Sequence, residues 1–375
     1  MKWEKVLLGE VTDSCLGKML DQEKNRGEYQ PYLANVDVRW GNFNLDDLSE
    51  MRFEKDEQER YGLKYGDLVI CEGGEPGRCA IWKNQIPNMK IQKALHRVRV
   101  HDCLDYRYLY YWFLLAGKTG GLEQYFTGAT IKHMPGQKLK SVVIDKPPIE
   151  IQRSIADVLS SYDDLIENNQ KQIKLLEEAA QRLYKEWFVD LRFPGHENTK
   201  ITDGVPEGWS NAAVTDLLEI KYGKDHKALE DGLIPVYGSG GLVRKVNKKL
   251  HSGESVLIPR KGSLNNLLLV NGDFWAIDTM FFGVPRKPNV AKYVYLFLSG
   301  LDMYAMNIGA AVPSMTVKIL EGMRVLYPVE DVLEQFEKMV GPLFLLIELL
   351  KKKSESLADA RDLLLPKLMS GELEV

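Results

Sequence analysis

The sequence lacks the features of a membrane or secreted protein. No uninterrupted apolar run reaches the roughly 18 residues that a membrane-spanning helix needs. The N-terminus, Met1 to Lys5, lacks the apolar core of a secretory signal. We therefore expect a cytoplasmic protein with no membrane partner.

Cysteine is scarce, with four residues in a chain of 375. They show neither paired CxxC spacing nor histidines at ligand distance, so the common zinc motifs are excluded. We expect reduced, mostly structural thiols at Cys15, Cys71, Cys79 and Cys103.

The motifs of nucleotide and methyl-transfer chemistry are missing as well. The chain has no GxxxxGK[ST] phosphate loop, and the segment from Lys146 to Ile149 lacks the polar start and aromatic end of an amino-methyltransferase tetrad. The loop from Gly238 to Gly241 lacks the third glycine of a dinucleotide fingerprint. A D...ExK arrangement that could bind a metal through carboxylates is formally present, but this pattern is frequent by chance; its residues are Asp203, Glu219 and Lys221. The sequence therefore predicts no catalytic centre, no bound cofactor and no metal.

Net charge is small, at −4. The acidic excess is concentrated in residues 149–192, which carry −3, and in residues 328–375, which carry −4, so the remainder carries +3. Any contact with a polyanion must therefore come from local basic clusters rather than from a uniformly basic domain.

The chain contains an internal repeat. The offset between its copies falls from 203 at the start to 181 at a glycine motif, so the first copy carries 22 extra residues, most of them before Gly66. The matching segments are Val11-Thr12-Asp13 with Val214-Thr215-Asp216, Gly66 to Ile70 with Gly253 to Ile258, and Gly128-Ala129-Thr130-Ile131-Lys132-His133-Met134 with Gly309-Ala310-Ala311-Val312-Pro313-Ser314-Met315.

Each copy ends in a stripe of apolar residues at spacings of three and four, from Ile151 to Trp187 and from Val332 to Leu368. Polar residues interrupt the second stripe at Ser354 and Arg361. A helix of about 40 residues is roughly 60 Å long, which suits a spacer. Because each stripe alone would be exposed, we expect the two helices to pack as an antiparallel pair.

These patterns predict an α+β fold in which two globular domains alternate with two long helices that pack as an antiparallel coiled coil, with a pseudo-twofold internal repeat. Short runs of Val, Ile and Tyr between turn residues indicate strands in the globular parts. The aromatic run from Tyr106 to Phe113 is typical of a core. The predicted boundaries are a first domain at 1–148, a first helix at 149–192, a second domain at 193–327 and a second helix at 328–375.

The order of domains and helices resembles that of the specificity subunits of type I restriction-modification systems. The resemblance covers essentially the whole chain, and five local motifs carry it in order: Pro148-Ile149-Glu150-Ile151-Gln152 with Pro328-Val329-Glu330, Lys185 to Asp190 with Phe193-Pro194-Gly195, Gly204 to Trp209, Gly309 to Met315, and Leu364 to Leu373.

The resemblance implies that each globular domain is a target-recognition domain that reads one half of a bipartite site in double-stranded DNA. It implies that the helices set the unread gap and dock two modification subunits similar to adenine-N6 methyltransferases. Restriction subunits with translocase and endonuclease activity would join them. S-adenosylmethionine, ATP and Mg would then belong to those partners and not to this chain.

Sequence reading requires side chains on loops that reach base edges, whereas phosphate contacts come from Lys, Arg and backbone amides. The best candidates are polar or basic residues beside glycine turns. In the first domain these are Lys18, Arg26, Arg78, Lys132 and His133, and in the second Lys224, Lys227, Ser239, Arg260, Lys261 and Lys318.

Two other functions are compatible with the repeat. A non-catalytic coiled-coil scaffold would use the helices alone and would not need glycine-flanked basic loops in both domains. A non-specific architectural DNA-binding protein would bind all duplexes alike, whereas the 22-residue difference between the copies favours two distinct readouts.

Overall fold

Short strands form where runs of Val, Ile and Leu lie between turn residues. In the computed structural model, which describes residues 3–21, 25–309 and 311–375, all four side chains of the segment Leu68–Cys71 are buried. Ala310 of the second glycine motif lies outside the described residues. The first nine strands are β1 (Glu4–Leu7), β2 (Thr12–Leu16), β3 (Glu28–Leu33), β4 (Glu50–Phe53), β5 (Leu68–Cys71), β6 (Cys79–Ile81), β7 (Lys90–Ile91), β8 (Leu95–Val100) and β9 (Val143–Lys146).

Three sheets arrange these strands: one of four strands in the order β2-β8-β5-β6, one of three in the order β4-β3-β7, and the pair β1-β9. Three helices accompany them, α1 (Glu57–Tyr61), α2 (Tyr106–Lys118) and α3 (Gly136–Lys140). Asp105 caps the start of helix α2, and its carboxylate accepts hydrogen bonds from two amides of the first turn. The predicted core role of its aromatic run is confirmed, because Tyr108, Tyr111 and Phe113 are buried.

The second copy repeats this topology. Its strands are β10 (Ile201–Thr202), β11 (Val205–Pro206), β12 (Ser210–Ala213), β13 (Leu218–Tyr222), β14 (Asp231–Gly238), β15 (Gly241–Val246), β16 (His251–Ser252), β17 (Ser255–Pro259), β18 (Leu268–Val270), β19 (Asp273–Ala276), β20 (Met280–Pro285) and β21 (Arg324–Tyr327). The order β13-β20-β17-β18 matches β2-β8-β5-β6, the pair β12-β21 matches β1-β9, and the parallel pair β14-β19 matches β3-β7. The predicted internal repeat is therefore confirmed at the level of strand order.

The predicted long helices are α4 (Ile149–Tyr184), continued by a π-helical turn at Lys185–Val189, and α8 (Glu330–Ser370). Between them lie α5 (Val214–Leu217), α6 (Val290–Ser299) and α7 (Val317–Gly322). Every residue of the predicted α4 stripe is buried or half-buried.

The chain divides into two compact units, residues 1–168 with 353–375 and residues 169–352, so each unit contains one half of each long helix. Within the second unit, the ring of Tyr184 lies 6.3 Å from that of Phe336, and Glu177 pairs with Lys351 at 3.6 Å. The contacts run in opposite directions along the two helices, so the packing is antiparallel, as predicted. The domain boundaries proposed from the sequence stay a prediction.

Within the first unit, the start of α4 packs against the end of α8. Ile155 and Leu159 share a core cluster with Leu365 and Leu368. Arg361 interrupts the apolar stripe because its guanidinium bonds the Asp163 carboxylate of α4. No helix within the described part of the chain is both long and apolar enough to cross a membrane.

Candidate nucleic-acid interface

Four loops of the second unit meet beside the ends of strands β14 and β17. The amide of Met315 donates a hydrogen bond to the Arg260 carbonyl at 2.9 Å, and the Gly262 amide donates to the Pro313 carbonyl at 2.9 Å. The glycine motif is thereby fixed against the loop that follows β17. The four loops are residues 238–241, 260–263, 278–279 and 307–309 with 311–314.

Glycine permits this close approach. Gly262 has φ +86°, and a Cβ added to it would lie 3.0 Å from the Ser239 hydroxyl oxygen. A Cβ on Gly309 would lie 2.0 Å from the Val312 carbonyl oxygen. The Asn266 side-chain amide donates to the Ser239 carbonyl at 2.8 Å and fixes the turn after β14. The loops are therefore held against one another by close backbone approaches and hydrogen bonds.

Arg260 is held at the end of β17 in a defined orientation. Its guanidinium lies 5.5 Å from the centroid of the Tyr222 ring and 6.0 Å from that of Phe281. One of its terminal nitrogens donates to the Asp278 carbonyl at 3.1 Å. Stacking on two rings leaves the remaining N–H groups of the guanidinium available to a ligand.

Lys261 lies on one of these loops and Lys224 follows β13 beside the end of β19, and both side chains are exposed. The Lys261 amide donates to the Thr279 carbonyl at 3.2 Å. The Lys224 amide donates to the Ala276 carbonyl at 2.8 Å, and the Lys224 carbonyl accepts the Trp275 indole N–H at 2.9 Å. The backbone of both lysines is therefore fixed by hydrogen bonds, while their charged side chains are exposed to solvent. Exposed cations on such a framework are suited to contact phosphate groups.

The other candidates of this unit lie further along the same elements. Lys227 is exposed, and its amide donates to the Asp225 carboxylate at 3.0 Å, which lowers the pKa of Asp225. Lys318 is exposed on the first turn of α7.

The first unit builds the same framework. The Met134 amide donates to the Glu72 carbonyl at 2.7 Å, as Met315 does to Arg260. A β-bridge joins Gly73 to His133, as one joins Lys261 to Ser314. Equivalent positions follow from these shared backbone contacts: Gly17 with Gly223, Lys18 with Lys224, Asn35 with Ser239, Glu72 with Arg260, Gly74 with Gly262, Arg78 with Asn266, His96 with Phe281, and His133 with Ser314.

The structure does not place Lys18 for a ligand contact. It is 3% exposed, its ammonium donates to the Arg52 carbonyl at 2.9 Å, and it pairs with Glu57. Glu57 belongs to α1, which lies within the extra residues of the first copy. The additional helix therefore covers a lysine whose counterpart Lys224 is exposed.

Arg78 has a bracing role in this arrangement. Its guanidinium donates to the Asn35 carbonyl and to the Asn35 side-chain oxygen, both at 3.1 Å, and pairs with Glu75 at 3.1 Å. Asn266 makes the corresponding bond to the Ser239 carbonyl in the second unit. Because the side chain of Arg78 is only 16% exposed and both terminal nitrogens of its guanidinium are bonded, it positions the Asn35 turn rather than presenting a charge.

The remaining candidates of the first unit, Arg26, Lys132 and His133, are exposed. Lys132 lies 5.8 Å from the Phe126 ring centroid and pairs loosely with Glu123 at 3.6 Å. Both it and Phe126 line a groove of about 480 Å³. The exposed side chains of the 128–133 loop are therefore the better-placed ligand contacts of this unit.

Sequence reasoning missed Asn35 and Glu72, which occupy the places of Ser239 and Arg260. The signal was present, because extending the match of the two buried strands by two residues aligns Glu72 with Arg260. Glu72 was overlooked because the candidates were chosen as cations or neutral polar groups beside glycine turns, and a carboxylate is not expected at a phosphate.

The buried histidine His96 contacts the backbone of Met134, the residue whose amide bonds the Glu72 carbonyl. Its Nε2 is 3.0 Å from the Met134 carbonyl, and burial lowers the pKa of the imidazole. The ring is therefore neutral near pH 7, with Nε2–H as donor to the carbonyl.

The residues of the formal D...ExK pattern have ordinary surface roles. Asp203 lies in the turn between β10 and β11, and Glu219 pairs with Lys221 along β13 at 3.0 Å. Among residues 3–21, 25–309 and 311–375, no three His, Cys, Asp or Glu side chains form a group able to hold a metal ion. All four cysteines are free, and burial raises the pKa of the Cys71 and Cys79 thiols.

The known proteins to which this chain is similar are all described as specificity subunits or domains of type I restriction systems. Residues 1–178 match the family model described as the type I restriction modification DNA specificity domain. The chain is 28% identical over 341 residues to the type I restriction enzyme MjaIX specificity subunit of Methanocaldococcus jannaschii, covering 83% of this chain and 78% of that protein. It is 19% identical over 408 residues to the HindI specificity subunit of Haemophilus influenzae, covering 84% and 88%.

A solved structure shares the fold. The type I restriction-modification S subunit from M. genitalium superposes with a TM-score of 0.56 at 20% identity, covering 98% of this chain and 96% of that one.

Proposed function

We propose that this chain is a specificity subunit of the type I restriction-modification family, and that each of its two units reads one half of a bipartite target in double-stranded DNA. The chain recognises DNA by sequence and is a non-catalytic recognition subunit. One observation carries the two-part readout: the same loop framework occurs in both units, with different side chains at the positions that face a ligand.

The second unit supplies most of the phosphate-binding charge in this proposal. Lys224 and Lys261 would contact the DNA backbone, whereas Arg260 and Ser239 would lie nearer to base edges. In the first unit Lys132 and His133, on the 128–133 loop, would contact the DNA. Side chains held on hydrogen-bonded loops keep their positions before DNA arrives, so little ordering is needed on binding.

The long helices would separate the two readouts and dock two modification subunits. Support comes from the leucines and methionine that the second unit leaves exposed on its long helices, since such apolar surface is typical of protein-binding faces; these are Leu175, Met339, Leu345, Leu346 and Leu349. The modification subunits would bind S-adenosylmethionine and methylate adenine at N6. Restriction subunits with ATP- and Mg-dependent translocase and nuclease activity would complete a cytoplasmic assembly.

The test is selection from a random pool of duplexes by the full chain, alone and with its modification subunit, at moderate salt. We expect two different short motifs separated by a fixed unread gap. Recovery without sequence preference under both conditions would leave only an architectural DNA-binding protein, and no recovery of DNA would leave only a scaffold.

A further inference from the structure

Two equivalent positions at the ends of the central strands carry opposite charges. Glu72 follows β5, and Arg260 follows β17. Their carbonyl groups accept equivalent hydrogen bonds from Met134 and Met315, at 2.7 and 2.9 Å. The backbone is therefore matched, and only the side-chain chemistry differs.

The charge reversal extends to the neighbouring loop. The Glu72 amide donates to the Ala94 carbonyl, and the Arg260 amide donates to the Thr279 carbonyl. The residue before the acceptor is Lys93 in the first unit and Asp278 in the second, and both are exposed. In the part of the chain that the structure describes, neither Glu72 nor Arg260 forms an ion pair, and the only hydrogen bond of the Arg260 guanidinium is to the Asp278 carbonyl. Both side chains therefore keep hydrogen-bonding capacity towards a ligand.

A phosphate contact does not account for this pair. A carboxylate repels phosphate, so a position that served the DNA backbone in both units would carry a cation in both. A position that reads bases can instead differ between units, because the two half-sites differ. In the major groove a carboxylate accepts from the N4 amino group of cytosine, and a guanidinium donates to O6 and N7 of guanine.

We propose that Glu72 and Arg260 are specificity-determining residues at equivalent positions, and that Glu72 reads cytosine in one half-site while Arg260 reads guanine in the other. This inference rests on the proposed function and assigns one base contact to each unit.

The experiment is duplex selection by the full chain and by the variants Glu72→Gln and Arg260→Gln. Glutamine pairs with adenine through N6 and N7. We expect Glu72→Gln to change one position of one half-site from C·G to A·T by about tenfold in preference, with the other half-site unchanged. Arg260→Gln should change a G·C pair to A·T in the other half-site only.

The matched control is Glu28→Gln, which removes an exposed carboxylate at the opposite end of β3 from the ligand-facing turn and should leave both motifs unchanged. Thermal unfolding of each variant verifies that it folds. A further variant, Glu72→Arg, copies the second unit and should select guanine at the position that Glu72 controls.

A wild-type bipartite motif that Glu72→Gln leaves unchanged would overturn the inference while the proposed function stands. A uniform loss of affinity without a change in base preference would overturn it as well. Random recovery by the wild-type chain would overturn both.

Discussion

Lys224 and Lys18 occupy equivalent positions, yet replacing Lys224 should weaken DNA binding, whereas replacing Lys18 should lower the stability of the first unit. Lys224 is exposed on rigid backbone, whereas Lys18 is 3% exposed and paired with Glu57. Each lysine that neutralises a phosphate on B-DNA contributes about 0.9 to the slope of log K against log salt. The double variant Lys224→Gln with Lys261→Gln should therefore reduce the magnitude of that slope by about 2.

The measurement is fluorescence anisotropy on the selected duplex across a range of salt concentrations. The loss of affinity should be largest at low salt and should shrink as salt rises, because the contacts act by releasing counterions. Lys248→Gln is the control, since Lys248 is exposed in the same unit beyond the far end of β15 from the 238–241 turn.

Lys18→Gln should leave the slope unchanged and destabilise the first unit. Removing one partner of a largely buried ion pair costs about 3 kcal/mol. For a unit of this size the loss corresponds to a fall in Tm of roughly 6–12 °C, measurable by calorimetry. The reasoning is refuted if Lys18→Gln lowers the salt slope with Tm intact, or if the double variant leaves the slope unchanged.

Three further predictions concern the first unit. Gln152→Ala should lower the free energy of unfolding by about 3 kcal/mol in urea titration, because the fully buried amide of Gln152 bonds three backbone groups that would lose their partner; an unchanged midpoint would contradict this. Arg361→Met should cost about 2 kcal/mol in the same titration by leaving Asp163 without its cation, and a stabilised variant would show that the pair is dispensable. Burial lowers the pKa of His96 below its ordinary value near 6.5, so the unfolded chain binds the proton more readily and stability should fall as the pH drops below about 6.5. Thermal unfolding at pH 7.5 and 5.5 should show this loss, and His96→Gln, which keeps an N–H donor for the Met134 carbonyl, should reduce it.

The features that the sequence predicted well are periodic or repeated. The stripes of α4 and α8 follow from spacing alone, and even the polar position Arg361 keeps the helical register while it finds Asp163 as a partner. The glycine motifs were equally readable, because each glycine is required by a local approach of backbone to backbone, as at Gly309.

The burial of candidate cations could not be read from the sequence. Lys18 and Lys224 each follow a glycine and look alike, and only the position of α1 in space buries the first. Arg78 lies beside Gly77 and resembles a ligand contact, yet its guanidinium braces Asn35 from more than forty residues away. Both outcomes depend on tertiary contacts that no local pattern encodes.

Comparison of the two units distinguishes the backbone hydrogen bonds that support the loops from the side chains that the loops present to a ligand. The same supporting hydrogen bonds occur in both units, such as Met134 to Glu72 and Met315 to Arg260. Because these bonds use only backbone atoms, they can form with different side chains at these positions. A residue at such a position can therefore change from Glu to Arg without loss of the framework, since the backbone hydrogen bonds that support the loop do not involve its side chain. The same independence means that substitutions confined to these positions should alter which duplex is bound before they alter folding.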